Sequence, residues 1–590
     1  MRPSGIAAPI SVPVGVRSFI MASLLELVER VNKNETIDPE SLDCYQESAN
    51  SAERFLSNHA RAMLELRKAQ QHLMQSLEAI DYGDQKVLSQ FLSVASLAGA
   101  AEQRCGPMVR FGGCAIGRRD YALGVEAIQS GMAFDLQHGG SFSSDRENCL
   151  LVAGQYRRAA EAIGYQAPAR APMGNMGSRQ PRIGYVCSQI ADDDGASRMP
   201  VGLARYCQGK DEQIYVYSTE AFVRRERQQF MQSTYLAPSN KRGREMMEML
   251  GRAEAQVWTA PTDGDAISAA KELANQIARD QIDILILDVT QADAAANLLA
   301  CWDVAPVKIA IARRSAIYCT TLQGCCYTDS EAHEADMAWW QSQEIKTWFV
   351  QEGVDASLLP QAATQRSTFG IPESAVVLAT ASPDLDRAMN DSFIDCIVSI
   401  LRSNPQAIFM AAGDGELTAA KKRFEAAGMS RRVGWAPKRK DIASFLRIAD
   451  VYLADFPMMP GSAGTCGIMS AMSVGCPIVA MKGAAGCPSP AALAGEDCCV
   501  PLRDTAGYAQ EVGKLIHEPA MRQAAGKLLQ AKAQQQFSFA QTAGKLEGIW
   551  QSLRSSGSKM GNTPEMRIPA ATPMPQSMDE DDDDILVQVA

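Results

Sequence analysis

The sequence predicts an α/β protein in which two doubly wound parallel sheets follow an all-α segment. Short β-prone runs alternate with helical stretches from Arg182 onward, and the alternation restarts after Thr347 to Val350 as a second copy. A third observation is the order of elements from Val433 to Pro477. There a strand, a Lys-bearing turn, a helix, a strand ending in Asp455-Phe456-Pro457, a Gly/Ser/Thr loop and a new helix lead through Gly-Cys-Pro to a third strand. A Gly-rich loop feeding a helix presents unpaired backbone N–H groups and the positive end of the macrodipole to a diphosphate. Gly461, Gly464 and Gly467 remove Cβ atoms that would hold phosphate oxygens away from the backbone. The same loop also suits a plain connection, because short Gly-rich turns are common in such folds.

Residues 1–20 are Pro/Gly-rich, carry only Arg2 and Arg17 as charges, and read as a disordered start unlike a signal peptide or an anchor. Residues 21–165 are helical in pattern: Leu24, Leu27, Val28 and Val31, then Met63, Leu66, Ala69, Leu73 and Leu77, recur at three-and-four spacing. Gly117 to Ala122 before Ala127, and Gly154 to Ala159 before Ala162, resemble a degenerate tetratricopeptide pattern, in which small residues let paired helices approach closely. Acceptor docking and packing against the α/β domains are both open roles for this segment. Residues 166–180 form an aperiodic Pro/Gly/Ala linker. The first α/β domain, 181–350, has strands at Ile183–Val186, Ile214–Tyr217, Ala255–Trp258, Ile284–Leu287 and Val307–Ile311. The second, 351–553, has strands at Val376–Ala379, Ile408–Ala411, Val433–Trp435, Val451–Ala454, Ile478–Ala480 and Cys499–Pro501, then terminal helices from about Ala506 to Leu553.

Net charge is −11, and the run Asp579 to Asp584 supplies six of those negative charges, leaving −5 on the rest. That balance argues against a nucleic-acid partner. No segment has the length and apolarity of a membrane span. The sixteen cysteines include no C-x-x-C pair, so they read as reduced, mostly buried thiols suited to the cytoplasm. The acidic run lies in a tail, residues 554–590, that ends in ILVQVA. A solvated tail and a docking peptide for a partner both fit that composition. A metal site does not, for want of a scaffold.

The runs Ala436-Pro437-Lys438, Leu446 to Pro457 (LRIADVYLADFP) and Gly464 to Pro477 (GTCGIMSAMSVGCP) resemble the nucleotide-binding half of O-GlcNAc transferases. They are equally similar to the cytoplasmic N-glycosyltransferases that modify adhesins; both groups belong to glycosyltransferase family 41. The resemblance implies a GT-B fold of two Rossmann-like domains, a UDP-sugar donor, no further cofactor or metal, and an acceptor protein. It places Ala436 and Lys438 at the uridine, Gly464, Thr465, Cys466 and Gly467 on the phosphate-binding loop, and Ser470 at the ribose, where the family carries an acid. Arg387, in the loop after the strand Val376–Ala379, is the nearest candidate for the family's phosphate-binding Lys, and reads equally well as a surface helix residue. Asp193, within Asp192-Asp193-Asp194, stands where O-GlcNAc transferases carry a His. A carboxylate there suits an acceptor-orienting base, and a solvated turn is the competing reading. The adhesin enzymes' second His is replaced by Arg313-Arg314-Ser315, and His333 reads as a helix-opening surface residue. A glycan or lipid acceptor, or a catalytically weak subunit that recognises acceptors for a partner enzyme, remain alternatives.

Overall fold

The computed structural model describes residues 105–137, 142–143, 145–166, 181–190, 198–210, 212–221, 243–262, 264–313, 316–328, 330–351, 353, 365–382, 385–413, 415–436, 442–456, 465–482 and 493–556. The start of the chain, most of the expected all-α segment, the linker beyond 166 and the acidic tail lie outside them.

The described part of the helical segment is α1 (Cys105–Gly117), α2 (Tyr121–Gln137) and α3 (Arg146–Ile163). A Cβ on Gly112 would lie 2.7 Å from the Gly124 carbonyl oxygen, and one on Gly124 would lie 2.7 Å from that of Gly112. The first two helices therefore touch backbone to backbone at a point where only glycine fits on either side. The third starts at Asp145, whose carboxylate accepts the Glu147 N–H, and stops at Gly164 with φ 62°.

The first α/β unit runs β1 (Arg182–Cys187), α4 (Arg198–Cys207), β2 (Gln213–Ser218), α5 (Arg244–Arg252), β3 (Gln256–Thr259) and α6 (Ala266–Arg279). It continues through β4 (Ile284–Asp288), α7 (Ala294–Cys301), β5 (Val307–Ala312), β6 (Gly324–Tyr327), α8 (Ser330–Ser342) and β7 (Lys346–Phe349). Its seven strands are ordered β3-β2-β1-β4-β5-β6-β7 and all pair in parallel. Such sheets are covered on both faces, which is why their strands read as unbroken apolar runs. One face packs Leu285, Leu287 and Cys325 against α6, α7 and the helical segment; the other packs Ile284, Ile286 and Cys326 against α4 and α5. The adjacent Cys325 and Cys326 thus point to opposite sides of the sheet. Sequence reading omits their strand, because GCCY carries no β-branched residue and no alternation.

The second unit runs β8 (Val376–Ser382), α9 (Leu385–Ala388), α10 (Asp391–Ser403), β9 (Ala407–Gly413), α11 (Thr418–Ala426) and β10 (Val433–Ala436). It continues through α12 (Ile442–Arg447), β11 (Val451–Leu453), α13 (Thr465–Val474), β12 (Ile478–Met481) and β13 (Cys499–Val500). The order is β10-β9-β8-β11-β12-β13, again wholly parallel. It reverses direction between β8 and β11.

Three helices close the described chain: α14 (Thr505–His517), α15 (Pro519–Gln536) and α16 (Phe539–Ser556). The first two cover the second sheet, Tyr508 donating its hydroxyl to the Ala454 and Val479 carbonyls at 2.9 and 3.1 Å. The last packs on the first sheet, where Phe539, Leu546, Ile549, Trp550 and Leu553 share a core with Ile183, Val216, Ile286 and Ile309. The absence of side chains at Gly202 and Gly353 makes room for Phe539; a Cβ at either would come within 2.5 and 2.7 Å of it. Glu547 accepts from the Tyr206 hydroxyl at 2.8 Å and the Lys210 ammonium at 2.9 Å. The Thr542 hydroxyl donates to the Gln351 carbonyl at 2.8 Å.

Candidate functional site

In an open parallel sheet, ligands bind outside the carboxyl ends of the strands, where the strand order reverses. In the second unit that point lies between β8 and β11, and α13 begins beside it. The Gly-rich segment before this helix lies outside the described residues, as do Lys438 and Gly464, and nothing is described of the Thr465 and Cys466 side chains. What the structure shows is how the helix is seated. A Cβ on Gly467 would collide with the Tyr452 hydroxyl and come within 3.0 Å of the Ala381 carbonyl oxygen. Tyr452 lies on β11, is fully buried, and donates to that same carbonyl at 3.3 Å. In the sequence, Gly467 suits close approach of a phosphate. The structure adds a different need, close packing of the first helical turn against the two central strands.

Gly467→Ala is therefore expected to destabilise the second unit by about 1–3 kcal/mol, the usual scale for overpacking. Tyr452→Phe in the same chain should recover part of that, since it removes the colliding oxygen. Urea titration checks it, and an unchanged midpoint for the single variant would show that the helix shifts without cost.

Ala436 is the last residue of β10, 3% exposed and paired in register with Ala412, so only its backbone is available to a base at that strand end. Ser470 is 5% exposed on the packed length of α13, and its carbonyl accepts the Ser473 hydroxyl at 2.8 Å. Arg387 belongs to the short helix α9, and nothing is described of its side chain. Its neighbour Asp386 binds the Glu416 and Leu417 backbone N–H groups at 2.8 and 2.7 Å, joining the connections after β8 and β9. That brace fixes the backbone that carries Arg387, and its two donors on the β9 connection are invisible to a sequence scan.

Asp193 lies outside the described residues. The described carboxyl edge of the first sheet holds two saturated carboxylates. Asp288, at the end of β4, takes a bidentate pair of bonds from Arg313, both at 2.7 Å, and a further bond from the buried Tyr185 hydroxyl. Asp293 accepts the Ser188 and Thr219 hydroxyls at 2.8 and 2.6 Å and the Ala296 N–H at 3.0 Å, so it also caps α7. Both groups are spent on holding loops. His333, in the first turn of α8, is half-buried and bonds Thr347 Oγ1 at 2.9 Å, a packing role. No helix among the described residues is long and apolar enough to cross a membrane.

Residues 376–518 match the protein family described as Glycosyl transferases group 1. No curated protein sequence matches the chain significantly. Among solved structures, a mutant of the Thermobaculum terrenum O-GlcNAc transferase superposes with a TM-score of 0.51 at 15% identity, covering 91% of this chain and 98% of that one. A glycosyltransferase from Rickettsia africae gives 0.48 at 12% identity, over 64% of this chain and 99% of its own. Anabaena Alr3699/HepE in complex with UDP and glucose gives 0.46 at 15%, over 63% and 100%. The first of these likenesses shows the fold, two Rossmann-like parallel α/β units in the GT-B manner.

Proposed function

We propose that this protein transfers a hexose or N-acetylhexosamine from a UDP-sugar to a protein side chain. The observation that carries the reading is the start of α13 at the reversal point of a sheet within the matched glycosyl transferase domain. In the proposed reaction the bond from the anomeric carbon to the UDP oxygen breaks as an acceptor hydroxyl or amide bonds to that carbon, and the acceptor's proton passes to a base. Charge developing on the leaving diphosphate meets the backbone N–H groups of Thr465, Cys466 and Gly467 and the end of the helix dipole. Arg387 is the side chain proposed to clamp the same phosphates. Lys438 and the Ala436 backbone hold the uridine, and Ser470 is assigned to the ribose side. The UDP-hexose class and the protein acceptor rest on the family 41 resemblance of the Val433 to Pro477 segment.

The experiment is calorimetry with UDP in the presence of a chelator. Binding is expected without divalent metal, and Lys438→Ala is expected to weaken it by about 1–3 kcal/mol as a charge-assisted bond is lost. An absolute requirement for Mg²⁺ or Mn²⁺, or an unchanged affinity in the variant, would overturn the assignment. The absence of a His at Thr465, of an acid at Ser470 and of a His at Asp193 favours a second reading, an acceptor-recognising subunit whose chemistry lies in a partner. UDP binding with neither transfer nor hydrolysis, across acceptor proteins screened by mass spectrometry, would select it.

A further inference from the structure

Away from the nucleotide site, two cysteines and a lysine meet inside the first unit. Cys301 is the last residue of α7, Cys319 lies in the connection from β5 to β6, and Lys308 is the second residue of β5. The two sulfur atoms are 3.8 Å apart, and Cys319 Sγ is 3.3 Å from Thr321 Oγ1. Lys308 is only 2% exposed, and its ammonium donates to the Ala300 carbonyl at 2.6 Å, the Trp302 carbonyl at 2.7 Å and Thr321 Oγ1 at 2.8 Å. All three acceptors are neutral. An ammonium taken out of water needs a counter-charge as well as acceptors, and a thiolate in the cysteine pair is placed to supply it.

The titration directions agree with that geometry. The hydrogen bond with Cys301, against the opposing effect of burial and with the help of the Lys308 charge, pulls the Cys319 thiol down to about 6, while the same bond, followed by burial, pushes Cys301 up. Burial lowers Lys308. Asp303 on the Lys308 side and Arg157 on the Cys301 side are the other charges that act on this cluster. The directions run apart within the pair: Cys319 is made the more acidic thiol, and Cys301, in contact with it, holds its proton more tightly. That is the division of labour of an attacking and a resolving cysteine.

We propose that Cys301 and Cys319 form a reactive dithiol that hydrogen peroxide converts to a disulfide, a modification site separate from the nucleotide site. The Cys319 thiolate attacks one peroxide oxygen, the O–O bond breaks, and Cys319 sulfenic acid and hydroxide result. The Cys301 sulfur then attacks the sulfenic sulfur and expels its oxygen as hydroxide, while the Cys301 proton and one from solvent convert the two hydroxides to water. Both sulfurs are oxidised by one electron each and the peroxide is reduced by two. Cys301 is half-buried and Cys319 is 5% exposed, which suits a small oxidant. The bridge ties the last turn of α7 to the β5–β6 connection directly beside Trp302. That residue donates its indole N–H to the Ala160 carbonyl at 3.2 Å and packs its ring, tilted by 30°, 4.7 Å from that of Tyr165, so oxidation stiffens the seat of the helical segment.

The test treats the full chain with hydrogen peroxide, blocks residual thiols, and maps peptides without reduction. A Cys301–Cys319 linked peptide, lighter by two hydrogens than its parts, is expected to be the main cross-link. Its rate of formation should be half-maximal near pH 6, rather than near the value of about 8.5 of an ordinary thiol. In Cys301→Ser the link disappears and a 1,3-dione probe should trap sulfenic acid at Cys319; in Cys319→Ser neither product should form. Linkage mainly between other cysteines, no link at all, a rate that rises only above pH 8, or trapping at Cys301 instead of Cys319 would each overturn the proposal.

Discussion

Trp550→Ala should cost the first α/β unit about 3–5 kcal/mol, the range for deleting a buried aromatic side chain. Trp550 is fully buried, in the same core as Ile183, Ile286 and Ile309, and reaches it from the far end of the sequence. Its indole N–H has no hydrogen-bond partner among the described residues. Trp550→Phe, which keeps most of the apolar volume and gives up a donor that does nothing, is therefore expected to lose far less. Because the chain has more than one α/β unit, a single melting point does not isolate the effect. Hydrogen exchange at the amides of β1 and β4 does, and a fall in protection below 1 kcal/mol for the alanine variant would mean that the sheet keeps its cover without this helix.

Asp193→Asn carries the second large effect. If Asp193 orients or deprotonates the acceptor, the amide variant should keep UDP affinity and lower sugar transfer by roughly a hundredfold or more, the usual scale for an acid/base group. Asp192→Asn and Asp194→Asn are controls of the same charge change and should do much less. Asp288 and Asp293, at the carboxyl edge of the first sheet, are already saturated by Arg313, Tyr185, Ser188 and Thr219, so they are poorly suited to take the acceptor's proton in its stead. Equal, small effects from all three substitutions would return the acidic triplet to a solvated turn and favour the acceptor-recognising subunit.

Both sheets were legible in the sequence for a physical reason. Parallel strands covered on two faces must be apolar throughout, so Ile284 to Leu287 and Val376 to Ala379 stand out without any period to fit. The strand Gly324 to Tyr327 did not stand out, because a glycine and two cysteines satisfy burial as well as valine does while carrying no β signal. At the proposed nucleotide site, the glycines and the strand–turn–helix order were readable, and the resemblance turned them into named positions. The contact that seats α13 was not readable, since the collision between Gly467 and Tyr452 joins a helix to a strand through space. The same holds for Lys308. In VKIAIA it looks like a surface residue at a strand's edge, and only the fold brings Thr321, Cys319 and the α7 carbonyls around it.

The position of α16 has a consequence for synthesis. The first sheet is complete once the ribosome has passed Phe349, yet the helix that covers one of its faces begins only at Phe539, about 190 residues later. At translation rates of about 5–20 residues per second, that face waits roughly 10–40 s for the rest of its cover while the whole second sheet emerges. The nascent protein thus carries a half-covered patch of Ile183, Val216, Ile286 and Ile309, shielded by α4 and α5 alone, through about a third of its synthesis, and a late segment is the one that lets the earlier unit finish folding.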